Sequence, residues 1–483
     1  MSNNIKTKTI KGFIWRFSER ILAQLVSFVV SVILARILLL EEYGIVAIVN
    51  VFITIANVFV TSGFGTALIQ KKDADDLDFN TVLYFSLALS FLFYLILFFS
   101  APIVAKIYDS PLIIPVLRVM GIRLPISSIS SIQQAIVSKK MIFKNFFFAT
   151  IIGTIISAVA GIILAVKGFG VWALVAQNLI NLFIDTLVLA ILVKWLPKLM
   201  FSWERFKQLF SYSSKILMAS LLGTICDKLR SLIIGAKYSK TDLAFYNKGE
   251  QLPNLISDNI NSSLDSVLFS ALSKIQDDKE QIKKAVRRSI RLGSFILFPL
   301  MFGLGIVADK VIIILLTEKW ANSIIFVRFL CLACLWGVIN SINIQAIKAV
   351  GRSDIVLKLE FIKKPLYLLI IIICSFISPL AIAIGSSIYS FLVFFINSFP
   401  NKKLINYSFF EQVKDIFIYL TMCIIMSFIV FLVGLINLNI YLLLLLQILV
   451  GVSIYVGLAF LFKCDDFFYL INILKWKKAE ENK

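Results

Sequence analysis

The chain of 483 residues contains no histidine. That removes the usual proton shuttle at neutral pH and the commonest metal ligand. It carries no G-x-x-x-x-G-K-[ST] loop, so nothing in it cradles a nucleotide phosphate. Only 16% of its residues are charged, too few to cover the surface of a water-soluble body of this size. No polar stretch is long enough to fold as a soluble catalytic domain, which counts against a membrane polysaccharide polymerase or ligase. The six cysteines (Cys226, Cys331, Cys334, Cys374, Cys423 and Cys464) fall mostly inside apolar runs and read as small hydrophobes. Cys331 and Cys334 have C-x-x-C spacing but no second pair to complete a metal site. No catalytic residue, cofactor or metal is expected.

What the chain has instead is hydrocarbon. Hydrophobic residues make up 59% of it and its mean hydropathy is +0.92. A membrane helix needs about 20 apolar residues, and backbone in lipid must bond to itself, as a helix or a closed barrel. The apolar runs do not alternate, so helices are expected. They fall at 12–38, 43–66, 79–104, 112–137, 146–166, 170–193, 212–236, 243–268, 289–314, 321–349, 356–377, 380–399, 413–435 and 438–462. The first is read as a retained helix, because its apolar run is long and contains Arg16, Glu19 and Arg20.

Lysine and arginine total 48 against 28 acids, a net charge of +20. Most of the basic residues fall in the two tails and the even-numbered links. The opposite side has only scattered ones, such as Arg36, Lys106, Lys167 and Lys319. This bias predicts a multi-pass protein of the inner (plasma) membrane with both termini in the cytoplasm. Its positive links face anionic phospholipid, and no nucleic acid is expected.

A faint internal repeat supports the count. ILARILLLEEYG at 33–44 matches IIGAKYSKTDLA at 233–244, and QQAIVSKKMIFK at 133–144 matches IQAIKAVGRSDI at 344–355. Paired helices lie six apart and therefore run in the same direction, as in parallel-repeat transporters. The expected fold is an all-α integral membrane protein of 14 transmembrane helices, with two parallel-repeat six-helix bundles around a central cavity and two further helices. The corresponding divisions are an N-terminal bundle at 1–193, a cytoplasmic connector at 194–211, a C-terminal bundle at 212–399, and two added helices with a basic cytoplasmic tail at 400–483. Pro125 and Pro253 fall within helices, and Pro299, Gly303 and Gly305 are expected to break the ninth. The small residues Gly153, Ser157 and Gly161, like Gly451 and Ser453, mark close helix contacts.

Charges inside a membrane are expensive and point to function. The first helix carries Arg16, Glu19 and Arg20; the fourth, Arg118 and Arg123; the seventh, Lys215, Asp227, Lys228 and Arg230; the tenth, Arg328. Two readings stand side by side. Residues near span ends snorkel to headgroups, and Asp227 pairs locally with its basic neighbours. Alternatively, the surplus of cations lines a cavity and attracts an anion, to which arginine's fork is suited. The candidate carboxylates for coupling transport to an ion gradient are Glu19, Asp185, Asp227 and Asp258.

The opening TIKGFIWRFSERILAQLVSFVVSVILARILLLEEYGIVAIVNVF, with TSGFGTALIQ at 61–70 and INIQAIKAVGRSD at 342–354, resembles the polysaccharide flippases of the Wzx type. The likeness is to the branch that exports colanic-acid-like and teichuronic-acid-like repeat units. It extends over essentially the whole chain. The resemblance implies the multidrug/oligosaccharidyl-lipid/polysaccharide exporter fold. It implies a cargo of undecaprenyl-pyrophosphate-linked oligosaccharide, moved to the outer leaflet by alternating access coupled to an ion gradient. Implied partners are a polysaccharide polymerase and a chain-length regulator, and Arg16, Arg20 and the basic residues of the seventh helix become pyrophosphate candidates. A cation-coupled multidrug exporter of the same superfamily is the main alternative. It fits less well, because the early helices hold no conspicuous embedded carboxylate beyond Glu19.

Overall fold

The computed structural model describes residues 2–469 apart from 62, 72, 141, 274, 276 and 277. Lys274, Asp277 and the end of the basic tail lie outside the described residues, as do the side chains of Lys6, Lys8, Lys11, Arg16 and Lys215. Each expected span is helical. The helices are α1 (Ser2–Ile37), α2 (Leu40–Thr61), α3 (Phe64–Gln70), α4 (Asp76–Ile107), α5 (Ile113–Met120), α6 (Arg123–Lys140), α7 (Lys144–Val166), α8 (Val171–Val193), α9 (Trp203–Lys237), α10 (Lys240–Ser273), α11 (Lys279–Leu316), α12 (Ser323–Leu335), α13 (Gly337–Ala349), α14 (Ser353–Ser375), α15 (Pro379–Ile405), α16 (Phe409–Val433) and α17 (Ile440–Leu461). The fourth span is divided into α5 and α6, the tenth into α12 and α13, and α3 continues the second after Gly63. Counted by span, these make the fourteen-helix architecture.

Among the described residues, eleven spans are long and apolar enough to cross a membrane. The other three, α9, α10 and α14, have the length but carry charges, among them Asp227, Lys228 and Arg230 on α9 and Lys358, Glu360, Lys363 and Lys364 on α14.

Local chemistry sets the boundaries. Asp75 and Ser408 open α4 and α16 with capping boxes, and Ser202 caps α9. Ser378 caps α15, with Pro379 in its first turn. The two repeat-related turns share one device. Leu39 N–H donates to Glu42 Oε2 at 2.8 Å before α2, and Ser239 N–H donates to Asp242 Oδ2 at 3.2 Å before α10. Gly44 follows the first of these turns inside α2, and a Cβ there would collide with the Lys240 backbone carbonyl.

Two expectations about proline change. Pro125 lies in the first turn of α6, where a missing N–H costs nothing, and the interruption of this span is at Gly121 and Ile122. The ninth span is not broken, because α11 runs unbroken through Pro299, Gly303 and Gly305. The connector expected at 194–211 is irregular only over 194–202, since α9 begins at Trp203.

The chain forms two compact units, Met1–Ala244 and Phe245–Lys483. In the first, α7 and α8 form an intimate hairpin with α1 against α7, while α2 packs on α6 and α9. A Cβ on Gly153 would lie 3.1 Å from the Asn181 carbonyl, and one on Gly161 3.1 Å from Gln177 Cβ, so the small residues let α7 and α8 close up as expected. In the second, α11 is the hub, contacted by α12, α13, α16 and α17.

Candidate functional site

The hairpin of α7 and α8 buries more than small residues. Counting along α8, Gln177, Asn178, Asn181 and Asp185 share one side at helical spacing. With α1, α6 and α7 they enclose a cavity of about 350 Å³ within the first unit. Its lining is Ala23, Ser27 and Val30 of α1, Arg123 of α6, Thr150, Thr154 and Ser157 of α7, and Gln177, Asn178 and Asn181 of α8. Hydroxyls and amides dominate, inside a body otherwise built from hydrocarbon.

Arg123 is the cation of this cavity. Its Nη1 donates to Asn50 Oδ1 at 3.2 Å and to Asn178 Oδ1 at 3.4 Å. Asn178 is oriented for this by donating its own Nδ2 to the Leu174 carbonyl at 2.9 Å. Arg123 Nε is buried without a hydrogen-bond partner, and among the described residues no carboxylate lies within ion-pair distance of the guanidinium. A full positive charge is thus held by neutral dipoles, with donor capacity to spare for an anion.

Two carboxylates stand at one end of the same polar column. Thr150 Oγ1 donates to Glu19 Oε1 at 3.1 Å and lies 3.5 Å from Asp185 Oδ1. Glu19 is buried. Above them, Thr154 Oγ1 donates to the Thr150 carbonyl at 2.6 Å, and Asn181 Nδ2 reaches Thr154 Oγ1 at 3.5 Å and Ser157 Oγ at 3.3 Å. Thr150 is six residues into α7, about 9 Å along it. A run of hydrogen-bonded hydroxyls and amides therefore extends from the acid pair along α7 and α8, on the wall of the cavity that also holds Arg123.

Of the residues singled out by charge, the structure brings together Arg123, Glu19 and Asp185. Arg118 is elsewhere, its Nε on the Phe98 carbonyl at 3.2 Å and its guanidinium 4.2 Å from the ring centre of Phe98. Arg20, Asp227, Asp258 and Arg328 are exposed on the surfaces of their own units, and Lys228 and Arg230 are half-buried. The charge search missed Asn50, Thr150, Thr154, Gln177, Asn178 and Asn181. The four-residue spacing from Gln177 to Asn181 to Asp185 was the available signal.

Comparison with known proteins places this architecture. The chain is 24% identical over 296 residues to the succinoglycan biosynthesis transport protein ExoT of Rhizobium meliloti, covering 61% of this chain and 60% of that protein. It is 22% identical to the teichuronic acid biosynthesis protein TuaB of Bacillus subtilis over 73% of each chain. To the lipopolysaccharide biosynthesis protein WzxC of Escherichia coli it is 24% identical, over 82% of this chain and 80% of that one. Among solved structures, the lipid II flippase MurJ in an inward closed conformation matches 94% of this chain and 99% of its own, with a TM-score of 0.77 at 16% identity. An inward-facing multidrug resistance MATE family transporter of the MOP superfamily matches 80% and 94%, with a TM-score of 0.60 at 13% identity. The all-α multi-pass fold is therefore shared with these transporters. Residues 33–325, more than half of the chain, match the polysaccharide biosynthesis protein family, and the chain belongs to that family.

Proposed function

We propose that this protein is a flippase that carries an undecaprenyl-pyrophosphate-linked oligosaccharide repeat unit from the cytoplasmic to the outer leaflet for cell-surface polysaccharide synthesis. The observation that carries the reading is Arg123, a cation held by amides with no carboxylate within ion-pair distance among the described residues, in a cavity lined with sugar-compatible hydroxyls and amides. Arginine donates to phosphate oxygens through a planar fork. The relatives named for succinoglycan, teichuronic acid and lipopolysaccharide synthesis support a saccharide cargo.

In this reading two six-helix bundles rock about the cargo in the manner of parallel-repeat transporters, both termini are cytoplasmic, and a polymerase and chain-length regulator take the product. Glu19 and Asp185 are the coupling pair, because Thr150, on the wall of the cavity, brings both carboxylates to one hydroxyl. Arg16, Arg20, Arg118, Lys215, Lys228, Arg230 and Arg328 remain secondary candidates for the pyrophosphate, and Asp227 and Asp258 for coupling.

The test is movement of a fluorescent undecaprenyl-pyrophosphate oligosaccharide in proteoliposomes, beside efflux of a cationic dye from the same vesicles. Sugar-lipid movement that falls at least about tenfold in Arg123→Gln, the loss of one charge-assisted contact, supports the assignment. Dye efflux alone assigns the chain to multidrug export, the reading to which the MATE likeness and the acid pair lend weight. Unchanged sugar-lipid movement in Arg123→Gln removes Arg123 from the site.

A further inference from the structure

In each half of the internal repeat a set of ion pairs ties the third span to the helix that follows that repeat's sixth span, and each tied pair lies within one compact unit. In the first unit the third span is α4 and the leaving helix is α9. Asp78, fully buried, takes Lys71 Nζ at 2.6 Å and Arg205 Nη1 at 3.6 Å, and Arg205 Nη2 also lies 3.7 Å from Asp75. Lys198 Nζ is 2.8 Å from Asp76. The connecting backbone is held by the same turn of α4, with Lys198 N–H donating to Asn80 Oδ1 at 2.7 Å and Ser202 N–H to Thr81 Oγ1 at 3.1 Å.

In the second repeat, which begins with α9, the third span is α11 and the leaving helix is α16. Lys283, Arg287 and Arg291, one turn apart on α11, meet Glu411, Asp415 and Tyr419, one turn apart on α16, at 3.0, 2.6 and 3.2 Å. Every rung joins residues 128 apart, so the two helices run side by side in a fixed register. Arg291 Nη2 continues to Asp466, beyond α17, at 2.8 Å, and Tyr419 donates to the same carboxylate.

The two sets occupy equivalent places in the internal repeat. From Asp78 to Lys283 is 205 residues, and from Arg205 to Glu411 is 206. Yet the signs are exchanged: acids at the start of α4 receive the bases Arg205 of α9 and Lys198 of the link before it, whereas bases on α11 receive acids from α16. What the two halves share is the tie itself rather than the residue types that make it.

We infer that these clusters are permanent clips of opposite polarity, each fastening the leaving helix to its own unit and staying closed while cargo moves. Burial argues for permanence. Asp78 and Asp415 are 0% and 7% exposed, so opening a clip would take an arginine from each buried carboxylate and leave Asp78 to Lys71 and Asp415 to the Tyr407 hydroxyl, which costs more than separating an exposed pair. Polarity argues for selectivity. The acids of α4 would repel Glu411 and Asp415, and the bases of α11 would repel Lys198 and Arg205, so neither leaving segment fits the third span of the other repeat.

The first arm of the test needs no transport assay. In the purified full-length protein, Arg287→Asp and Asp415→Arg each lower the unfolding temperature by about 3 °C or more. Arg287→Asp is worse than the neutral Arg287→Gln, and the double reversal recovers at least half of the loss. A double variant no better than the poorer single one overturns the clip, as does Arg287→Asp equal to Arg287→Gln. The second arm rests on the flippase reading. Lys283→Cys and Glu411→Cys are introduced into a chain whose six native cysteines are replaced, and are bridged with a short bismaleimide after reconstitution. Bridged protein keeping more than half of the unbridged rate of sugar-lipid movement shows a clip that stays closed, and any larger loss shows one that must open and overturns permanence. If the wild-type chain moves no sugar-lipid, the flippase reading fails, and the thermal arm alone decides the clip.

Discussion

Arg123 has a guanidinium to satisfy in a setting where water is scarce, and two asparagine oxygens take only part of its donor capacity. Removing one of those acceptors should misplace the fork without removing the charge. Asn178→Leu is therefore expected to slow sugar-lipid movement several-fold, less than Arg123→Gln. Arg123→Lys should recover little, because a single ammonium cannot reproduce the planar fork. Initial rates in proteoliposomes check the order, and an Asn178→Leu rate equal to wild type would separate Asn178 from the site. Gly44 is constrained differently. A side chain there runs into backbone, which cannot rotate away, so Gly44→Val should cost about 1–3 kcal/mol of stability. The matching observation is a lower unfolding temperature whatever the state of the cavity.

At the scale of elements, the hairpin of α7 and α8 positions most of the cavity lining, and its closeness depends on residues without bulk. Gly153→Leu should push α7 from the Asn181 and Asp185 backbone, disturb the acid pair, and lower both stability and transport. A variant with normal transport would show that the hairpin tolerates separation. The cap of α4 gives a pH expectation. The Asp78 backbone N–H holds the Asp75 carboxyl below the usual carboxylate range, helped by Arg205 and Lys71 and opposed by partial desolvation. A depressed folded value means the contribution is complete above the unfolded value and is lost as pH falls through the folded one. The start of α4 should thus keep its hydrogen-exchange protection from pH 7 to about 4.5 and lose it only in stronger acid. Helix number was legible because eleven of the spans are long apolar runs among the described residues, and lipid leaves the backbone few alternatives. The interruption at Gly121 was less so, since it reflects where a Cβ would meet Tyr94. The early start of α9 at Trp203 was hidden because its first turns are polar and rest on α4 rather than in hydrocarbon. The cavity was half legible. Ionised residues at membrane depth drew attention to Arg123, Glu19 and Asp185, but the neutral amides and hydroxyls that join them look like ordinary helix surface until α7 and α8 are brought together.

For the whole molecule, moving a diphosphate-linked sugar outward requires that cargo binding and an energy source act on one structure without acting through one residue. The proposed roles are separated in space within the first unit, with Arg123 toward one end of the polar column and Glu19 with Asp185 at the other. If the acid pair couples an ion gradient to transport, neutralising it should leave the cargo contact intact. Glu19→Gln with Asp185→Asn is then expected to retain downhill movement of the fluorescent sugar-lipid but to lose its acceleration by an imposed proton or sodium gradient. Arg123→Gln should lower the rate by a similar factor with and without the gradient. Measuring all three proteins in vesicles of one composition, with each gradient applied in turn, separates the roles. A doubly neutralised protein that still responds to the gradient would place coupling elsewhere, with Asp227 and Asp258 next in order. An Arg123→Gln protein impaired only when energised would make Arg123 part of the coupling path instead of the cargo site.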